Sequence, residues 1–335
     1  MSDFCLTPPP SAEPKLSRPE RVTNRDPYRV PGPAVVSVSG GRTSAYMLRR
    51  IIDAYGGRLP TGVHVVFANT GEEDARTLDF VAQLQRRWCH ITWVEYDASA
   101  PGKWREVEYE TASRNGEPFT ELIRTKRHLP NGRMRFCTQE LKLMPMRGFM
   151  RAQGYGDDWT NVVGLRADEP KRVATLQARE SAWDVACPMY DAREGKSHVM
   201  DFWKRQDFDL ETPAHMGNCV GCFLKGRAIR ERAAREAPAA FERWAKHEMT
   251  IGARFVHQEP EGYAGTLDRV RRLPLLPLDA DDAETVSLPC DCTQRRAPRR
   301  QSCSCRRGRG QGHALHCDKV LGAQHVRIEG DTWQS

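Results

Sequence analysis

The sequence predicts an α/β fold, a mostly parallel sheet with helices on both faces. Three observations carry this expectation. Short β-rich runs alternate with helix-periodic runs from residue 34 onward. Glycines stand at the strand-to-helix turns, at Gly40-Gly41 and Gly71. The chain of 335 residues is long enough for one large α/β core or two smaller ones.

The first run, 34–39, reads Ala-Val-Val-Ser-Val-Ser and ends at Gly40-Gly41. Residues 43–55 follow with Ala45, Leu48, Ile51, Ile52 and Tyr55 on one helical face, stopped by Gly56-Gly57. The pattern repeats as a strand at 63–68, a turn at Asn69-Thr70-Gly71, a helix at 74–88 and a strand at 91–96. Residues 97–135 are polar and basic and read as a lid-like excursion. A helix is expected at 138–153, a strand at 159–165, and helices at 198–208 and 225–247. Phe202, Trp203 and Phe208 at helical spacing read as core, and so does Cys89.

The flanks differ from this body. Residues 1–33 are rich in proline and read as a disordered or loosely docked arm with neither a signal sequence nor an anchor. The expected domain is 34–286, and 287–335 reads as a basic, Cys-rich tail, disordered or closed by a small metal knuckle. Most of the net charge of +7 resides there: residues 293–335 carry nine Arg and Lys against three Asp and Glu, a balance of +6, leaving the body nearly neutral. Such a tail can bind nucleic acid non-specifically. No run approaches the length of a membrane span, so the expectation is a cytoplasmic protein with no membrane partner.

The segment Ser39-Gly40-Gly41-Arg42-Thr43-Ser44 lies between a strand and a helix. Glycines let backbone N–H groups close around a phosphate, and the helix adds the positive end of its dipole. Ser39, Thr43 and Ser44 offer hydroxyls, and Arg42 offers charge. The loop is neither G-x-x-x-x-G-K-[ST] nor G-x-G-x-x-G. The plain alternative is a tight turn with a serine cap. Arg166 and Arg172 flank Asp168 and Glu169 after a strand, where arginine can clamp phosphate or sulfate; a solvated loop is the alternative. Lys142 can face the same anion. Lys126, Arg127 and His128 read as a solvated loop or as a closure over substrate.

These residues resemble a known family. Ser39–Ser44 is similar to the PP-loop of the adenine nucleotide α-hydrolases, with Thr43 where Asp is common. Asn69-Thr70-Gly71-Glu72 resembles their Asp-Thr-Gly-x motif, which faces the nucleotide. Cys137 with Leu141-Lys142 and Pro145, and Gly164-Leu165-Arg166 with Arg172, resemble segments of the phosphoadenosine phosphosulfate (PAPS) reductases. The resemblance covers roughly residues 34–226. It implies a Rossmann-like, HUP-type sheet, with the nucleotide on Ser39–Ser44, Asn69–Glu72 and Gly164, and with Arg42, Lys142, Arg166 and Arg172 acting on the reacting group.

The chain has eleven cysteines. Clustered thiols in such a chain point to metal or redox chemistry before disulfides. Cys219 and Cys222 form a C-x-x-C pair that can converge on one metal or act as a redox pair. The resemblance implies that they join Cys137 on a [4Fe–4S] cluster, placing the cysteine region at 137–226. A fourth ligand is open between Cys187, Cys290 or Cys292, and an unligated iron. Zinc is the alternative metal, and ordinary reduced thiols the alternative to any metal.

The expected function is a PAPS reductase-like enzyme acting on the phosphate or sulfate of ATP, PAPS or adenosine phosphosulfate (APS). Mg²⁺ would accompany ATP, and a thiol reductant or sulfur donor would serve the cluster. One alternative is an ATP pyrophosphatase or sulfurtransferase that activates a nucleic acid for thiolation. Another is a nucleotide-binding protein without turnover.

Overall fold

A computed structural model describes residues 26–178 and 181–272. The order of elements is β1 (Ala34–Val38), α1 (Arg42–Ala54), β2 (Val63–Asn69), α2 (Ala75–Arg87), β3 (Thr92–Tyr96), β4 (Trp104–Val107) and α3 (Glu117–Lys126). A helical segment follows, made of α4 (Phe136–Thr138), a π-turn at Gln139–Leu143, and α5 (Met144–Ala152). Then come β5 (Thr160–Val162), α6 (Pro170–Gln177), β6 (Asp184–Ala186), α7 (Pro188–Asp191), α8 (Lys196–Trp203), α9 (Arg227–Glu236), α10 (Pro238–Ile251) and α11 (Gly262–Arg272).

The six strands form one sheet in the order β4-β3-β2-β1-β5-β6. All neighbours pair in parallel except β4, which runs antiparallel on the edge beside β3. The fold is therefore the Rossmann-like α/β arrangement expected. Alternation along the strands explains the two covered faces. Val36, Val38, Phe67 and Trp93 pack under α1, α2 and α8. Their neighbours Val35, Val66, Ala68 and Val94 pack on the opposite face against Met146, Phe149 and Met150 of α5. A separate cluster joins α3, α9, α10 and α11 around Phe119, Phe241, Trp244, Phe255 and Tyr263.

Phe202, Trp203, Phe208 and Cys89 all belong to the first cluster, as expected. Other expectations need correction. The 97–135 stretch holds the edge strand β4 and helix α3, whose Phe119, Leu122 and Ile123 are buried. The polar composition concealed both, because an edge strand and a one-sided helix each leave half their residues in solvent. The charged helix expected at 225–247 is two helices, broken where Pro238 opens α10. The arm is docked from Asp26 on: Tyr28 and Val30 are buried, and the Tyr28 hydroxyl donates to Glu194, which also pairs with Arg50 at 2.7 Å. Residues 1–25 and the tail, with Cys290 and Cys292, lie outside the described residues.

Candidate functional site

The strand order reverses direction between β1 and β5. In open α/β sheets the crevice beyond the carboxyl ends of such a strand pair is where ligands bind. Residues 39–44 leave β1 at this point. Gly40 has φ +74°, and a Cβ there would lie 2.4 Å from Thr77 Cγ2. Only glycine allows the loop to turn so tightly against α2. Gly41 precedes α1 in extended conformation; no side chain caps the helix, and its first turn carries no acid. The helix start thus keeps the positive potential that attracts anions. The Ser44 hydroxyl accepts from Ser39 N, lies 3.0 Å from Ser39 Oγ and donates to Gly41 O.

The β5 end closes on this loop. A Cβ on Gly164 would sit 3.2 Å from Ser44 Cα, so its missing side chain permits a close backbone approach. Arg166 reaches Thr43 Oγ1 at 3.4 Å and is held by Asp168 at 2.8 Å. Arg172 pairs with the buried Glu169, whose other carboxylate oxygen accepts from Arg166 N. Arg42, expected to face a phosphate, is instead bound by both oxygens of Asp209 and by the Leu210 carbonyl. Its position on the first turn of α1 points it at this returning segment.

The turn after β2 is built inward. Asn69 is fully buried; it donates to Glu95 and to Ser113 O and accepts from Gly71 N. Thr70 donates to Glu73 through both N and Oγ1. Glu72 lies beneath α10, accepting from Trp244 Nε1 at 2.9 Å with Arg243 at 3.7 Å. Of these residues, Thr70 lines a cavity. The partners that turn Asn69 and Glu72 inward, Ser113 and Trp244, are remote in sequence.

That cavity measures about 120 Å³. Cys137, Cys219 and Cys222 all line it, together with Arg135, Lys142 and Lys225. Cys137 comes from α4, and the pair comes from the loop before α9. Backbone contacts dock this loop on the β2 turn: Val220 N donates to Glu72 O at 2.7 Å, and Glu73 and Cys219 form an isolated antiparallel bridge. Cys219 Sγ lies 3.6 Å from Thr70 Oγ1. Asn218 just before it adopts φ +58°, a left-handed conformation that asparagine tolerates better than most residues. Burial pushes the Cys137 thiol up to about 11 and the Cys219 thiol well above its usual range. Burial pushes the Lys225 ammonium down to about 8; its Nζ donates to the His215 and Val220 carbonyls. Lys142 stands 3.7 Å from the buried Glu73.

Cys137, Cys219 and Cys222 place three soft sulfur donors on one cavity. Deprotonating buried thiols needs compensation, and three cations on the same walls supply it. Among the described residues, no three His, Cys, Asp or Glu side chains stand close enough together to hold a single ion as they are. Cys187 is not on these walls. It is buried with Leu165 and Val173 at the end of β6, where burial pushes its thiol up to about 11. Sequence reasoning missed Lys225 and Arg135, whose nearness in the chain to Cys222 and Cys137 was the available signal.

Glu72 yields a pH prediction. Burial is the main cause that raises its carboxyl to about 7, against 4.5 in an unfolded chain. The unfolded state releases this proton first, so Glu72 costs nothing below pH 4.5. Its destabilising effect grows between 4.5 and 7, to about 3 kcal/mol at most. Glu72→Gln is expected to flatten the fall in stability over this window, measured by denaturant unfolding at pH 5 and pH 8. Equal slopes for both proteins would refute the assignment.

No protein-family model matches the chain. The chain is similar to an uncharacterized nin region protein of Escherichia phage lambda, at 32% identity over 199 residues. The match covers 57% of this chain and 66% of that protein's length, just under two thirds. Among the described residues no helix is long and apolar enough to cross a membrane.

Proposed function

We propose that the chain is a PAPS reductase-like PP-loop enzyme. It binds an adenine nucleotide at the loop 39–44 and acts on its phosphate or sulfate group beside an iron–sulfur cluster held by Cys137, Cys219 and Cys222. One observation carries this reading. An uncapped helix start, approached by the Gly164 backbone at the strand-order reversal, lies along the same sheet edge as a cavity lined by three thiols and three cations.

In this reading the loop amides and the α1 dipole hold the phosphates. Arg166, held by Asp168, is positioned beside Thr43 to stabilise charge on the transferred group. Arg42 orders the loop through Asp209 instead of touching the nucleotide. Lys142, between Glu73 and the cavity, supplies positive charge toward the thiolates. A cluster bound there would contribute redox or sulfur-handling chemistry. Mg²⁺ would shield the phosphates if the substrate is ATP.

The test uses anaerobically purified protein in two assays: pyrophosphate release from ATP, and sulfite release from PAPS or APS with a thiol reductant. Turnover in one assay, lost in Arg166→Ala, is expected. Saturable nucleotide binding with no turnover in either would reduce the protein to a binding module. Absence of binding would overturn the reading.

A further inference from the structure

The segment between Glu121 and Glu140 contains five Arg and Lys, one His and no carboxylate. This is a dense run of positive charge in a body, residues 1–292, whose net charge is only +1. Arg124, Lys126, Arg127, His128 and Arg133 are exposed. Glu140 neutralises Lys126 at 2.6 Å, and Glu121 accepts from Ala98 N. The side chains of Arg124, Arg127 and Arg133 have no carboxylate partner among the described residues.

The segment is a built platform. Leu129 is buried in the core beside α3. The buried Asn131 accepts from the backbone N–H groups of Arg133 and Met134 and donates its own N–H to Met134 O at 3.0 Å. Arg127 ends α3 at φ +49°. Inward anchors at 129 and 131 thus leave the arginines on either side facing outward. Two and four residues beyond Arg133, Arg135 and Cys137 line the thiol cavity. A polyanion lying on the platform would run to the cavity mouth.

We propose that this pinned basic loop, from Arg124 to Arg135, docks a nucleic-acid strand whose backbone runs to the mouth of the thiol cavity. Docking of the strand does not depend on the nucleotide reading above. Arginine forks match phosphodiester oxygens, and a row of them tracks a backbone. His128 and Phe136, with ring centroids 6.2 Å apart, add flat surfaces between the cations. An anionic membrane fits less well, because Met134 is the sole large apolar side chain exposed on the loop.

The test is fluorescence anisotropy of the full chain with a labelled single-stranded 20-mer across a salt series. The comparison is between wild type and the triple variant Arg124→Ala, Arg127→Ala, Arg133→Ala. Three lost phosphate contacts should weaken strand binding about tenfold or more and reduce the log–log salt slope by about two. The triple Lys variant should retain most binding. ATP affinity and the thermal midpoint should match wild type in both. Equal strand binding by wild type and the alanine variant would overturn the proposal and leave the tail as the binder. A parallel loss of ATP affinity would assign the loop to the free nucleotide. Binding to phosphatidylserine vesicles without strand binding would also overturn it. Failure of the nucleotide reading would appear separately, in the pyrophosphate and sulfite assays.

Discussion

Anaerobic protein carrying Cys219→Ser is expected to lose its iron and sulfide, and with them its brown colour and visible absorption. Wild type should carry iron and sulfide near four per chain, as a [4Fe–4S] cluster requires. The reason is local. Cys219 stands on the loop docked to the β2 turn, its sulfur against Thr70, and shares one cavity with Cys137 and Cys222. A serine hydroxyl is a poor ligand for iron, and two remaining thiolates do not hold a cluster. Cys187→Ser should leave the metal in place, because that thiol is packed with Leu165 and Val173. Metal and sulfide analysis of both variants checks this. Colourless wild-type protein with one zinc per chain would sink the cluster, and so would metal retained in Cys219→Ser.

Gly40→Ala should damage both stability and nucleotide binding. At φ +74° an alanine is strained, and its Cβ would press on Thr77 Cγ2 at 2.4 Å. Thr77 cannot easily yield, since it is buried and hydrogen-bonded to Thr212 at 3.0 Å. The expected destabilisation is about 2–4 kcal/mol, a fall of about 5–10 °C in Tm. The loop must also shift its amides. One lost charge-assisted hydrogen bond is worth about 1.5–3 kcal/mol, or about tenfold or more in ATP affinity. Gly56→Ala is the control, with φ +70° but nothing within 4 Å of the new methyl. It should cost about 1 kcal/mol and leave affinity unchanged. Calorimetry on both variants separates strain from clash, and unchanged ATP affinity in Gly40→Ala would remove the loop from the site.

The parts legible in the sequence were those written by local periodicity. β1, β2 and β3 alternate between two apolar faces, so their residues declared a doubly covered sheet. Gly40 signalled a tight turn, and its φ of +74° with Thr77 Cγ2 at 2.4 Å from a Cβ leaves room for glycine alone. Cys219 and Cys222 were named from their spacing and Cys137 from the family resemblance, since nothing local says that Cys137 lies beside Cys219. What escaped was set by long-range partners. Asp209 claims Arg42 from 167 positions away, and Trp244 claims Glu72 from 172. A three-residue strand such as β6 has no period to read. β4 and α3 were hidden in polar sequence because each faces solvent on one side.

The backbone junction between Glu72-Glu73 and Cys219-Val220 has a thermodynamic consequence. A metal that must gather ligands from a loose chain also bears the entropy of ordering that chain, about 1–2 kcal/mol per residue fixed. Here the bridge and the Val220–Glu72 hydrogen bond order the C-x-x-C backbone against the turn that follows β2. Most of that entropy is surrendered when the sheet folds. The binding free energy of whatever the thiols hold is therefore largely available as affinity, in contrast to small domains whose metal must fold them.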